Sequence, residues 1–135
     1  MEQRVALIVG AGPGISGAFA EALLAAGYKV ALAARNMGKL EAVAAKMGAT
    51  AFEVDVASAS SVVRLFDNVD RALGAPDVVL FNPSARIRGE LLALDMEAAA
   101  AAIRVTTVGA LVTAQEAARR MLPRGSGSIF FTGAT

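Results

Sequence analysis

Four glycines near the amino terminus have the type and spacing that suit the binding of a phosphate group. They are Gly10, Gly12, Gly14 and Gly17, and they lie between an apolar run and a segment typical of a helix. Glycine permits a tight turn and lets a ligand approach the main chain. Free N–H groups and the dipole at the start of the helix attract an anion. A tight strand-to-helix connection that binds nothing has the same appearance, but the position after a buried strand favours dinucleotide binding.

The second apolar run ends in residues that bear on the choice of dinucleotide. Ala34 is followed by Arg35 and Asn36, where an NAD site usually has an acid that hydrogen-bonds the ribose 2′-hydroxyl. An arginine here can pair with a 2′-phosphate, and no carboxylate opposes it. The sequence therefore favours NADP over NAD, although Arg35 is also compatible with an ordinary solvated charge.

The third and fourth apolar runs end in further polar residues. Asp55 and the backbone amide of Val56 suit hydrogen bonds to the edge of an adenine, although Asp is also common as a helix cap or loop acid. Asn82 is suited to brace the backbone near the ribose. Pro83 and Ser84 keep that turn compact.

An alternation of strands and helices along the whole chain is expected to position these residues. Continuous apolar runs typical of buried strands alternate with helical patterns that are closed by glycine or proline. We predict an α/β fold with a Rossmann-like, doubly wound parallel sheet in the order 3-2-1-4-5 and helices on both faces. The predicted strands are 4–9, 28–34, 50–54, 77–81 and 128–132, and the predicted helices are 14–26, 37–47, 58 or 60 to 73, and 96–121.

Composition excludes several classes of function. The 135 residues fit one domain, and they contain no histidine and no cysteine. A histidine-dependent hydrolase, a zinc site and a disulfide framework are therefore excluded, and we expect no metal. The net charge of +1 predicts no nucleic-acid partner, and the arginines at 86, 88, 119, 120 and 124 are interpreted as solvated surface.

Hydropathy and the amino terminus predict a cytoplasmic protein with no membrane partner. Alanine accounts for much of the 56% hydrophobic content. No apolar stretch is expected to reach the roughly 18 to 20 residues that span a bilayer. The first four residues lack the charge pattern and cleavage site of a signal peptide.

Taken together, the motifs resemble the amino-terminal part of a short-chain dehydrogenase/reductase. The family motif Thr-Gly-x-x-x-Gly-x-Gly matches residues 9–16 without a gap, with Val9 for the threonine and Ser16 for the last glycine. Residues 55–56 resemble the family's adenine-contacting pair, and residues 82–84 stand where the family has Asn-Ala-Gly. The resemblance covers the whole chain. It implies a cofactor site formed by Gly10, Gly12, Pro13, Gly14, Ile15, Arg35, Asn36, Asp55, Val56, Asn82, Pro83 and Ser84.

The resemblance implies an NADP-dependent oxidoreductase that transfers hydride between the cofactor and a small carbonyl or alcohol substrate. It also implies a homo-oligomer that associates through the helix at 96–121. The alternative is a non-catalytic dinucleotide-binding module that acts as a sensor or interaction domain.

The departures from the family concern the catalytic residues. Thr106 replaces an asparagine on the long helix, and Ala134 stands at the serine position with Thr135 next to it. The family's Tyr-x-x-x-Lys motif is absent, because the one tyrosine is Tyr28. The catalytic residues are therefore unknown. We expect residues 1–135 to be an NAD(P)-binding part of a longer reductase, without its C-terminal strands and inactive alone.

Overall fold

Five parallel strands form the sheet of this protein, which a computed structural model describes over residues 3–133. The strand order is β3-β2-β1-β4-β5, and every neighbouring pair is parallel. This confirms the predicted fold class and strand order. Each predicted strand is present within one residue at either end. The strands are β1 (Val5–Val9), β2 (Lys29–Ala34), β3 (Thr50–Glu53), β4 (Val78–Phe81) and β5 (Ser128–Phe131).

Helices connect the strands and begin where the sequence predicts. The Ser58 side chain caps one of them by accepting a hydrogen bond from the N–H of Ser61, and Asp95 caps another by accepting from Glu97. Ser58, and not Ser60, is therefore the cap of the third helix. The α-helices are α1 (Ile15–Ala25), α2 (Met37–Met47), α3 (Ala59–Ala72), α4 (Met96–Ile103) and α5 (Gly109–Met121). Short 3-10 turns lie at Leu91–Ala93 and Leu122–Arg124.

Helices cover both faces of the sheet. The side chains of β1 alternate between the two faces and join one apolar cluster on each. Leu7 and Val9 belong to a cluster with residues of α3 and α5, such as Phe66 and Ala117. The intervening side chains of β1 pack with residues of α1 and α2, which include Leu40. β1 is buried along its whole length, and this explains why its sequence has no polar alternation.

The predicted helix 96–121 is interrupted in its middle. α4 and α5 are joined by a single π turn at Arg104–Val108, so the prediction of one regular helix is wrong there. Thr106 lies in the turn, and its hydroxyl donates a hydrogen bond to the carbonyl of Ala102 over 2.8 Å. A hydroxyl that bonds back to the preceding turn bends a helix, and π turns occur often at functional sites.

The segment Met96–Arg124 contradicts the expectation that no apolar stretch is long enough to span a bilayer. Its composition and its 29 residues would allow it to cross a membrane, and only 11% of its most apolar window is buried. The expectation that no stretch reaches that length is wrong, because a run of alanines raises the hydropathy without large side chains. Length and composition are weak evidence for a membrane span, since the core helices of other folds meet the same criterion.

Three of the five arginines interpreted as solvated make ion pairs, and one of them, Arg119, stays largely exposed. Arg120 of α5 makes ion pairs with Asp67, Asp70 and Glu116, and Arg124 pairs with Asp77. Burial alone would lower the pKa of Arg120, but hydrogen bonds and charges from Asp70 and Glu116 outweigh it and raise that pKa above its usual range. The interpretation as solvated surface is therefore wrong for Arg120, whose side chain is 15% exposed, whereas Arg124 is exposed as well as paired.

A close approach between Gly109 of α5 and the loop after β3 gives a first testable prediction. A Cβ at Gly109 would lie 2.8 Å from the carbonyl oxygen of Val56 and 3.1 Å from its Cβ. We expect Gly109→Ala to lower the free energy of unfolding by about 1–3 kcal/mol, the usual cost of overpacking. Urea unfolding followed by circular dichroism measures this change.

The matched control is the same substitution in another helix. Gly38 of α2 has a helical backbone, and the nearest atom to an added Cβ is Asn36 Oδ1 at 3.5 Å. Gly38→Ala should therefore raise the free energy of unfolding by about 0.5–1 kcal/mol. Equal effects of the two substitutions would contradict the role of the Val56 contact.

Candidate functional site

The glycine turn between β1 and α1 has a positive φ at two positions. Gly10 has φ 84° and Gly14 has φ 85°, values that residues with a side chain rarely adopt. The amides of Gly10 and Ala11 both donate to the carbonyl of Ala33 at the end of β2, over 2.9 and 3.0 Å. The turn is therefore tied to the carboxyl edge of the sheet, where ligands of such folds bind.

The glycines of the turn have different surroundings. A Cβ at Gly10 would lie 2.6 Å from the nitrogen of Pro83, so this glycine lets the end of β4 approach the turn. At Gly12 and Gly14 an added Cβ would meet no described residue within 4 Å. Gly10 thus serves packing, whereas Gly12 and Gly14 leave open space beside the main chain.

The start of α1 has the features of an anion site. Gly14 is the N-cap residue and supplies no side-chain cap, and the first turn of α1 has no acidic residue. The first N–H groups of a helix lack partners within the helix, and the dipole places positive potential there. Ile15, the first helical residue, is 65% exposed, so this end of the helix is open to a ligand.

A chain of hydrogen bonds crosses the edge of the sheet behind the turn. Thr132 donates to Asn82 Oδ1 over 2.6 Å, and Asn82 Nδ2 donates to Ser16 Oγ over 2.6 Å. Ser16 is 1% exposed and donates to the carbonyl of Gly10 over 3.1 Å. The Asn82 side chain therefore reaches the main chain of the turn only through Ser16, and its role as a brace near the ribose stays a prediction.

Six of the twelve candidate cofactor residues line two neighbouring clefts. The first, of about 860 Å³, lies between the turn, α1 and α2, and it includes Asn36 and Lys39. The second, of about 640 Å³, lies at the ends of β2 and β3 and includes Arg35 and Asp55. The structure thus separates Arg35 from the turn residues, which are Gly12, Pro13 and Gly14. The other six candidates line neither cleft: Gly10, Ile15, Val56, Asn82, Pro83 and Ser84.

Asp55 and Val56 also hold the loop after β3. The Asp55 carboxylate accepts a hydrogen bond from the N–H of Ala57 over 3.0 Å, which is the loop-acid role considered for it. Its own N–H donates to Ser61 Oγ over 2.9 Å. Val56 is 7% exposed and packs against Gly109. The loop is therefore fixed, with the Asp55 carboxylate in the lining of the second cleft.

Two residues at the site were missed, and two that were considered lie outside the described part of the chain. Lys39 was missed because a lysine one turn into a helix has no distinctive local signal. Thr132 was missed because its partner Asn82 is distant in sequence. Ala134 and Thr135, considered for the family's serine position, lie outside the described residues. Within residues 3–133, no group of three or more acidic side chains is placed to hold a metal ion.

Comparison of the sequence with known proteins shows which family it matches. The family model described as short chain dehydrogenase matches residues 4–135. An uncharacterised oxidoreductase of Staphylococcus aureus strain USA300 is 31% identical over 132 residues, which make up 96% of this chain and 57% of that protein.

Two solved structures superpose closely on the chain. A short-chain type dehydrogenase/reductase from Mycobacterium marinum has a TM-score of 0.88 at 32% identity, over 98% of this chain and 56% of that one. An alcohol dehydrogenase from the archaeon Thermococcus sibiricus, complexed with 5-hydroxy-NADP, has a TM-score of 0.86 at 32% identity, over 96% and 57%. The chain thus spans little more than half the length of the proteins it matches.

Proposed function

Because the chain belongs to the short-chain dehydrogenase/reductase family, we propose that it binds NADP(H) at the glycine turn and forms the cofactor-binding part of an oxidoreductase. The observation that carries the proposal is the turn itself. Open space at Gly12 and Gly14 adjoins the uncapped start of α1. A pyrophosphate there would accept hydrogen bonds from main-chain N–H groups and gain from the helix dipole.

The surrounding residues fit the rest of a nicotinamide dinucleotide. Asp55 would accept from the adenine edge across the second cleft, and Val56 would present its backbone beside it. Asn82 and Pro83 would support the main chain near the ribose. The bound nicotinamide would supply the hydride, whereas the protein would orient the cofactor and keep it in place.

We propose NADP rather than NAD as the cofactor. β2 ends in Ala34 without an acid, and Arg35, Asn36 and Lys39 follow it. The segment 35–39 contains two cations and no acid, and this favours a 2′-phosphate over a ribose hydroxyl. The carboxylates that share the cleft of Arg35 come from β3 and the loop after it. The archaeal alcohol dehydrogenase carries an NADP analogue, which supports the same choice.

Dissociation constants for NADPH and NADH test this proposal. We expect NADPH to bind more tightly, and Arg35→Ala to weaken NADPH binding about tenfold, as loss of a charged hydrogen bond does. Binding of NADH should change little, because it lacks the phosphate. The control is Lys29→Ala at the opposite end of β2. Tighter binding of NADH, or equal losses for both dinucleotides, would overturn the choice of NADP.

For the reaction, we propose hydride transfer to or from a small carbonyl or alcohol substrate. A panel of aldehydes and ketones with NADPH, followed by its absorbance, tests this activity. The second candidate is a dinucleotide-binding module without catalysis. It is favoured by Thr106, whose hydroxyl is already bonded to the Ala102 carbonyl. The assay needs the longer reductase of which this chain is expected to be a part, and NADPH binding without turnover of any substrate by that longer protein would support this second candidate.

For assembly, we propose a cytoplasmic homo-oligomer that associates through α4 and α5. Their outer face exposes large apolar side chains, among them Met96 at 61%, Ile103 at 58% and Leu111 at 62%. Apolar patches of this kind mark interaction sites on soluble proteins. Sedimentation velocity reports the assembly, and a monomer at all concentrations would contradict it.

A further inference from the structure

We propose that Thr132, at the end of β5, is a positioning residue for the glycine turn and acts on it through Asn82 and Ser16. The three side chains form a polar relay that ends on the carbonyl of Gly10. This inference rests on the proposed function in one respect, because the turn is taken as the dinucleotide site. It adds that the affinity of that site for a dinucleotide depends on the Thr132 side chain, which lies at the far end of the relay.

The chemistry of the groups fixes the direction of the relay. The Gly10 carbonyl can only accept, so the Ser16 hydroxyl must donate its one proton to it. Ser16 Oγ must then accept from Asn82, which turns the NH₂ group of the amide toward Ser16. The amide oxygen consequently faces Thr132, whose hydroxyl must donate. Thr132 is the second group that holds the Asn82 amide, and without its hydroxyl the amide is held by Ser16 alone.

The relay acts on the peptide group between Gly10 and Ala11. The carbonyl of this group accepts from Ser16, and its N–H donates to the carbonyl of Ala33. The peptide plane is therefore held at both ends, immediately before the open main chain at Gly12. If Ser16 releases the carbonyl, the plane is free to rotate about the left-handed Gly10, and the N–H groups that face a phosphate lose their fixed direction.

Amide hydrogen exchange in the ligand-free protein tests the relay directly. The amides of Gly10 and Ala11 report on the turn, because both are bonded to Ala33. We expect Thr132→Val to speed their exchange about two- to fivefold and Ser16→Ala about five- to tenfold, the range of one lost hydrogen bond. The double variant should match Ser16→Ala alone, since both substitutions interrupt one path. Thr132→Ser keeps the hydroxyl and should behave like the wild type.

A core variant separates this effect from general loss of stability. Val69→Ala removes buried atoms from α3, in the cluster on the opposite face of the sheet from α1. The proposal would be overturned if the amides of Gly10 and Ala11 exchange at the wild-type rate in Thr132→Val. It would also be overturned if Val69→Ala, compared at the same free energy of unfolding, speeds their exchange as much as Thr132→Val does.

The same variants titrated with NADPH connect the relay to binding. We expect Thr132→Val to weaken NADPH about two- to fivefold and Thr132→Ser to restore the affinity. If the wild type binds no dinucleotide while Thr132→Val still speeds exchange at the turn, the proposed function fails and the relay stands. If the wild type binds NADPH and Thr132→Val changes neither exchange nor affinity, the relay fails and the proposed function stands.

Discussion

Replacing Gly10 by alanine is expected to lower the free energy of unfolding by about 2–5 kcal/mol and to abolish dinucleotide binding. An added Cβ would lie 2.6 Å from the nitrogen and 2.8 Å from the Cδ of Pro83. The neighbour is a main-chain atom and a closed ring, which cannot move aside as a flexible side chain does. Overpacking costs about 1–3 kcal/mol, and the left-handed backbone adds about 1–2 kcal/mol for a residue with a side chain. Chemical unfolding and an NADPH titration measure the two effects.

Gly12→Ala is the control that separates packing from binding. Its φ is not positive, and an added Cβ meets no described residue within 4 Å. The free energy of unfolding should therefore stay within about 0.5 kcal/mol of the wild type. NADPH affinity should still fall, because the methyl group takes the space through which a phosphate approaches. If Gly12→Ala binds NADPH normally, the cofactor does not approach the main chain at this glycine.

Replacing Arg120 by alanine is expected to cost about 2–4 kcal/mol of stability, because its ion pairs are partly buried and lie between the exposed and the fully buried cases. Arg120 bonds Asp70 over 2.7 Å, Asp67 over 2.9 Å and the Glu116 carboxylate over 3.2 Å. Its guanidinium also lies 5.1 Å from the centre of the Phe66 ring. Alanine would leave Asp70 and Glu116 close together and partly buried with no cation between them. The midpoint of urea unfolding measures the loss.

The neighbouring Arg119 provides a matched comparison. It pairs with the same Glu116 over 3.0 Å, but its side chain is 67% exposed. An exposed ion pair contributes about 0–1 kcal/mol, so Arg119→Ala should change stability little. If the two substitutions had the same small effect, the ion pairs between α3 and α5 would not hold these helices together.

Local sequence was sufficient to predict the elements of this fold. The uninterrupted apolar run of β1 and the glycines that follow it carry their signal within a dozen residues. Ser58 and Asp95 cap helices through bonds to residues two or three positions away, which makes them readable from the chain alone. The π turn has no such signal, because a hydroxyl such as that of Thr106 is equally common in regular helices.

The polar contacts of the site depend on tertiary neighbours that the sequence does not specify. Ser16 stands where the family motif has a glycine, yet its hydroxyl joins Gly10 to Asn82, which lies 66 positions after Ser16. Arg120 looked like surface charge, because its partners Asp67 and Asp70 are about fifty residues away. The candidate residues at the ends of β2 and β3 were correctly placed at one edge, but their division between two clefts depends on the packing of side chains.

The strand order has a consequence for how the chain acquires its structure during synthesis. Parallel neighbours are never joined by a hairpin, so each pairing waits for a helical connection to close, and such topologies fold slowly. β2 and β3 pair on one side of β1, whereas β4 and β5 pair on the other. If β1, β2 and β3 pair as they are synthesised, the backbone N–H and C=O groups on one edge of β1 stay unpaired until Val78–Phe81 emerges. During that interval the nascent chain offers an edge on which chaperones or other unfinished chains can add a strand.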